Sequence, residues 1–137
     1  MSKMNFNDYG RCMATYNSWQ NGVLFDLCDQ IGDVERRLDR NMFFGSIHNT
    51  LNHILYVDLR ILTILRTGEA GPFEPTTIVA DDFETLKAMR AEVDADITEF
   101  VEGTDHSWQD EIRELPFPDG VTRKIPRQLF LVQLFNH

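Results

Sequence analysis

The sequence predicts an all-α protein, a four-helix bundle of one domain with a short β-hairpin in the connection before the last helix. Apolar residues recur at intervals of three and four over four stretches, which is typical of amphipathic helices. Helix-capping residues and glycines bound these stretches, and a single turn motif separates the third from the fourth. No internal repeat or low-complexity tract interrupts residues 1–137, a length that suits one hydrophobic core.

The first predicted helix covers about residues 5–31. Its apolar stripe consists of Cys12, Met13, Tyr16, Trp19, Val23, Leu24, Leu27 and Ile31. We expect this stripe to face the core, so that Cys12 is a buried thiol and Tyr16 and Trp19 fill the interior. A substrate-facing role for either aromatic residue is the alternative. Cys28 lies sixteen residues after Cys12, about 24 Å along a helix, so the two should remain reduced thiols.

A charged connector, residues 33–45, is predicted to be solvated and to lead into the second helix. That helix should span about residues 46–67. Its apolar positions are Ile47, Leu51, Ile54, Leu55, Ile61, Leu62 and Leu65. Gly68 follows the last of them and indicates a helix stop.

The third predicted helix starts at an N-cap, Asp81 or Asp82, and continues to Gly103. After it, Pro118-Asp119-Gly120 is a turn motif between short apolar segments and predicts the hairpin. Pro126 can occupy the first turn of the fourth helix. Since no stop signal follows, the sequence predicts a chain that is truncated within that helix.

The four histidines are the candidate metal ligands. His48 and His53 flank opposite edges of the apolar face of the second helix and diverge by about 140°, so at most one can point to a given metal. His106 falls in a predicted loop and should be solvated. His137 continues the inward stripe of the fourth helix and would enter the core, although a frayed terminal residue fits the spacing equally well.

Asp58 lies in the middle of the apolar arc of the second helix. An unpaired carboxylate would be costly there, so we expect a paired structural group and not a catalyst.

The charge balance argues against several classes of partner. The net charge is −9, from 22 acidic and 13 basic residues, and the basic residues form no stripe that could follow a phosphate backbone. No apolar run reaches about 18 residues, and the first residues lack the apolar stretch of a secretory signal. We therefore expect a cytoplasmic protein that binds neither nucleic acid nor membrane.

Three segments together resemble a known family. They are Tyr16-Asn17-Ser18-Trp19-Gln20-Asn21, residues 43–58 with Leu51-Asn52-His53-Ile54 at their centre, and Leu134-Phe135-Asn136-His137. In order and spacing the whole chain resembles the DinB family of damage-inducible bacterial proteins. The resemblance implies a four-helix bundle and a homodimer.

The resemblance also implies a metal site. The family pattern places one metal-binding histidine in the second helix and two, four residues apart, in the last helix. By motif the first corresponds to His53 and the second to His137, which selects His53 over His48. The third would stand four residues past His137, where this sequence has no residue. Asp58 matches a polar position of the family pattern.

The activity implied by the resemblance is that of a metal-dependent enzyme with a small-molecule substrate. Relatives include transferases and isomerases that use a low-molecular-weight thiol, which a histidine-bound divalent metal, Zn²⁺ or Ni²⁺, would hold as the nucleophilic thiolate. A metal-dependent hydrolase would use the same ligands to activate water. A non-catalytic stress-response protein that binds a metal or small molecule is the alternative from another class.

Overall fold

The computed structural model describes residues 3–137, with the backbone alone for His106, and so the predicted exposure of that side chain lies outside the described residues. In this part of the chain the elements are α1 (Phe6–Arg37), α2 (Ile47–Thr67), α3 (Phe83–Gly103), a 3₁₀ turn (His106–Trp108), β1 (Ile112–Pro116), β2 (Thr122–Pro126) and α4 (Arg127–Asn136). They confirm the mostly helical fold with its hairpin. Here α1 packs chiefly on α3, and α2 on α4. No helix of the described residues is both long and apolar enough to cross a membrane.

Local capping determines the starts of α1, α2 and α3 and the end of α2. The side chains of Asn5, Ser46 and Asp82 each accept a hydrogen bond from a backbone amide in the first turn of α1, α2 and α3, respectively. At the other end of α2, Gly68 adopts the left-handed conformation with φ of 78°. These boundaries agree with the predicted ones because each depends on residues close in sequence.

The end of α1 differs from the prediction. Gly32 has φ of 84° and kinks the helix, which nevertheless resumes and continues to Arg37. Arg36 is buried: its Nη1 donates to the backbone oxygen of Cys28 at 2.7 Å, and its guanidinium lies 3.8 Å from the ring centre of Phe83. The first part of the predicted solvated connector is therefore helical and partly buried, because these contacts retain Arg36 inside.

The predicted core face of α1 is wrong. Tyr16 is 49% exposed, Trp19 is 64% exposed, and Cys12 is exposed as well, whereas Cys28 is buried. The inward face instead carries small, polar and a few apolar residues: Asn7, Gly10, Ala14, Asn17, Asn21, Phe25 and Cys28. Both faces show helical spacing, so periodicity alone could not identify the buried one. Both cysteines are free thiols, as expected.

A buried charged network explains the polar inward face of α1. Arg90 of α3 lies 2.7 Å from a carboxylate oxygen of Asp58 and 2.7 Å from one of Asp94. Asn17 and Asn21 of α1 donate to Asp94, each at 3.1 Å. Burial raises the pKa of both carboxyls, while the Arg90 guanidinium opposes that rise. Asp58 is thus a paired buried group, as predicted.

Hydrogen bonds attach the hairpin to the C-terminal end of α2. Its strands pair antiparallel with Leu115 opposite Arg123, and Gly120 in the connecting turn has φ of 80°. Arg113 and Arg127 both donate to the backbone oxygen of Leu65. These bonds bring the hairpin over the side of α2 that carries His53.

Candidate metal centre

The two predicted ligands lie next to each other. His53 projects from α2 and His137 follows α4, and their ring centroids are 6.4 Å apart with the planes at 73°. Two imidazoles that bind one tetrahedral ion through nitrogens at about 2 Å have centroids about 5 Å apart. The two centroids would therefore have to approach by about 1 Å for both rings to bind one ion.

In both His53 and His137 an oxygen acceptor lies near Nδ1 of the ring. His53 Nδ1 is 2.7 Å from the backbone oxygen of Pro75. His137 Nδ1 is 3.3 Å from the backbone oxygen of Leu134 and 3.7 Å from Oδ1 of Asp58. A ring nitrogen that faces an acceptor carries the hydrogen in the neutral tautomer, so each Nε2 retains a lone pair for a metal.

Asp58 shows one feature that its pairing with Arg90 does not explain. Its Oδ2 contacts Arg90, but its buried Oδ1 has no hydrogen-bond partner among the described residues. That oxygen is the one nearest His137. A carboxylate that accepts the N–H of a ligating histidine is a common arrangement in metal sites, and it orients the ring. The donor set therefore fits a divalent metal.

The candidate ligands form a pair and not a triad. Among the described residues, without the side chain of His106, no cluster of three or more His, Cys, Asp or Glu is placed to hold a metal ion. Two neutral imidazoles leave most coordination positions open but hold a metal more weakly than three.

His48 occupies a different place from His53. It is buried near the start of α2, with Nε2 3.6 Å from Asp81 Oδ1 and 3.5 Å from the side-chain nitrogen of Asn52. Burial lowers the pKa of His48. The structure thus separates the two histidines that the periodicity had left as alternatives.

A cavity of about 400 Å³ opens beside the histidine pair. Its lining combines helix α2, helix α4, the α2–α3 loop and the hairpin: His53, Val57, Arg60, Ile61, Ile64, Ala70, Phe73, Leu115, Pro116, Phe117, Pro118, Phe130, Gln133 and His137. Most of these side chains are apolar, and none is acidic. A mainly apolar cavity with a few polar groups is the usual form of a small-molecule site.

Sequence reasoning missed three residues at this site. Phe44 stacks on the His53 ring with centroids 4.0 Å apart, and Arg60 and Gln133 line the cavity. Arg60 follows His53 by seven residues, two helical turns, so the spacing could have placed it on the same face. Phe44 lies in the loop before α2, and its stacking depends on a loop conformation that periodicity does not predict.

The family model of the DinB family matches residues 1–137, which is the whole chain. The chain belongs to the DinB family. The mostly helical structure with a hairpin before the last helix is consistent with that assignment. A search of curated proteins and a search of solved structures found no match.

Proposed function

We propose that this DinB-family chain is a cytoplasmic, metal-dependent enzyme that acts on a small molecule together with a low-molecular-weight thiol. His53 and His137 would hold the divalent metal, Zn²⁺ or Ni²⁺, through their Nε2 atoms. The observation that carries the proposal is the approach of these two rings at the wall of an apolar cavity, each with Nδ1 against an oxygen. When bound, the metal would supply Lewis acidity, which favours the thiolate form of a thiol at neutral pH.

The surrounding residues would orient the ligands and exclude water. The Pro75 carbonyl and the Phe44 ring fix the plane of His53. Asp58, itself paired with Arg90, has its free Oδ1 3.7 Å from Nδ1 of His137, and with the metal bound it would accept that N–H and so orient the ring. The apolar cavity wall limits solvent around the thiol sulfur, and a poorly solvated thiolate is a stronger nucleophile. No protein nucleophile is needed.

Metal titration of the purified chain tests the ligand set. His53→Ala and His137→Ala should each weaken Zn²⁺ or Ni²⁺ binding at least tenfold, because each removes one of two protein ligands. His48→Ala is the matched control and should retain the wild-type affinity, since His48 lies apart from the pair. Equal loss in all three variants would contradict the assignment.

Turnover decides between the proposed enzyme and its alternatives. A model electrophile is offered with several cellular thiols, with and without metal, and product is followed by mass spectrometry. The thiol-dependent enzyme requires metal and thiol together. Metal-dependent cleavage that needs no thiol would identify a hydrolase. The apolar cavity suits a non-catalytic small-molecule protein as well, and this function is favoured if neither reaction occurs while metal still binds.

We also propose that the chain forms a homodimer through the outer face of α1. This face carries seven exposed large apolar residues: Tyr16, Trp19, Val23, Leu24, Leu27, Ile31 and Val34. At roughly 100 Å² each they offer about 700 Å² per protomer, close to the ~800 Å² per partner of a standard interface. A twofold axis across one helix would bring the same residues of both copies together, so that the surface matches itself.

Light scattering coupled to size exclusion tests the dimer. Trp19→Glu places a charge in the middle of the apolar face and should shift the chain to the monomer. Val121→Glu is the control, because Val121 is also about half exposed but lies in the hairpin turn. A monomeric wild-type chain, or a dimer that Trp19→Glu leaves intact, would refute this interface.

A further inference from the structure

Arg60 forms no ion pair with any residue that the structure describes. Eleven of the thirteen Lys and Arg residues of the chain form an ion pair within the described residues, and the other two are Lys3 and Arg60. Lys3 is exposed near the N-terminus, but Arg60 lines the cavity. The chain has a net charge of −9, yet this guanidinium lies in a cavity whose lining residues include no carboxylate.

The contacts of Arg60 fix one side of its guanidinium and leave the other side available. Nη1 donates to the backbone oxygens of Gly71 at 2.5 Å and Pro72 at 3.2 Å. Both acceptors are neutral, so the positive charge persists. Nε and Nη2 have no partner among the described residues and are not among the buried polar atoms. These two nitrogens form the edge that donates two parallel hydrogen bonds to a planar carboxylate.

The distance between His53 and Arg60 along α2 sets the length of a ligand that would reach both. Arg60 and His53 lie on the same face, separated by two turns, or about 10.5 Å along the axis. The cavity wall between them includes Val57 and Ile61, which are apolar. A ligand complementary to this wall would have an apolar body and an anionic group at the end away from the histidine pair.

We infer that the cavity binds small apolar carboxylates, and that Arg60 recognises the carboxylate group. This inference deepens the proposed function, because it names the substrate class of the same cavity. The net negative charge of the chain disfavours anions in general, and the Arg60 guanidinium is the positive charge in the cavity lining. The carboxylate end of the ligand should therefore lie beside Arg60.

A purely structural role of Arg60 makes a different prediction. If the guanidinium served only to hold the Gly71–Pro72 carbonyls beside the Phe73 ring, at 5.4 Å, the cavity would not distinguish a carboxylate from a neutral group of similar shape. Octanoate and octanamide are therefore matched probes, since they share the apolar chain and differ mainly in charge.

Isothermal titration calorimetry of the chelator-treated chain with both probes tests the inference. The wild-type chain should bind octanoate about tenfold to hundredfold more tightly than octanamide, which is the range for a charge-assisted pair. Arg60→Gln should remove this preference and leave octanamide binding unchanged, and Arg60→Lys should retain part of it. Arg66→Gln, on the same helix but outside the cavity lining, should behave as wild type.

Three results would overturn the inference: no octanoate binding to the wild-type chain, equal affinity for both probes, or a preference that persists in Arg60→Gln. Equal loss of both probes in Arg60→Gln would indicate the structural role and overturn it as well. The same titration with His53→Ala separates this inference from the metal proposal. That variant should lose metal affinity but retain the preference for octanoate, so either proposal can fail while the other stands.

Discussion

Arg90→Met is the most informative test of how this bundle is held together. The substitution has similar length but removes the guanidinium that lies between Asp58 of α2 and Asp94 of α3. Both carboxylate side chains are at most 5% exposed, so solvent cannot replace the lost contacts. Two buried carboxylates would then remain without their cation.

The magnitude follows from the two short ion pairs. Removal of one partner of a buried pair costs about 3–5 kcal/mol, because the remaining charge is desolvated and uncompensated. A domain of this kind has a free energy of unfolding of about 5–15 kcal/mol, so this one change would remove a large part of it. With a urea m-value of about 1.5 kcal/mol/M, the midpoint should fall by about 2–3 M.

Urea denaturation followed by circular dichroism measures the change. Arg66→Met is the matched control, because Arg66 pairs with Asp96 at 4.0 Å and both side chains are nearly half exposed, so the loss should stay below about 1 kcal/mol. The combined variant Asp58→Asn, Arg90→Met, Asp94→Asn should regain part of the stability, since it leaves no buried charge. A loss below about 1 kcal/mol for Arg90→Met alone would refute the assignment of this network.

Three further predictions concern the site and the start of α2. Asp58→Asn should weaken metal binding about tenfold to hundredfold while the helical circular dichroism spectrum is retained, because a neutral amide replaces the carboxylate beside Nδ1 of His137. Unchanged metal affinity would contradict the orienting role. A four-residue helical extension after His137 that ends in histidine should tighten metal binding at least tenfold, whereas the same extension ending in alanine should not, since i and i+4 histidines converge on one ion. His48 has a lowered pKa, so its unfolded form takes up a proton near pH 6.5 while the folded form stays neutral. Its contribution to stability is therefore present above pH 6.5 and lost as the pH falls toward the folded pKa, with a slope of at most about 1.4 kcal/mol per pH unit. His48→Gln should reduce that slope in urea denaturation between pH 7.5 and 5.5, and identical slopes would show that His48 does not titrate in this way. The charged groups that face His48 are Arg36, Arg37, Asp33 and Asp81.

Much of the candidate site could be anticipated from the residues. The periodicity placed Asp58 in the apolar arc of α2, and the cost of an isolated buried charge required a partner for it. The resemblance selected His53 over His48, and the structure brings His53 next to His137. Arg60 was accessible to the same reasoning through its seven-residue spacing. That it forms no ion pair among the described residues, unlike most other cations of the chain, is visible only in the structure.

The sequence by itself determined most helix ends, the hairpin and the family, although α1 continues beyond its predicted end. Caps such as Ser46 and breakers such as Gly68 act over a few residues, so their effect is visible without the fold. Tertiary structure alone decided which face of α1 is buried. Both faces have helical spacing, and the more apolar one, with Trp19, lies outside. The reason is that Arg90 and its buried carboxylates require the Asn17 and Asn21 amides on the inner side, a requirement that arises only when α1, α2 and α3 are packed together.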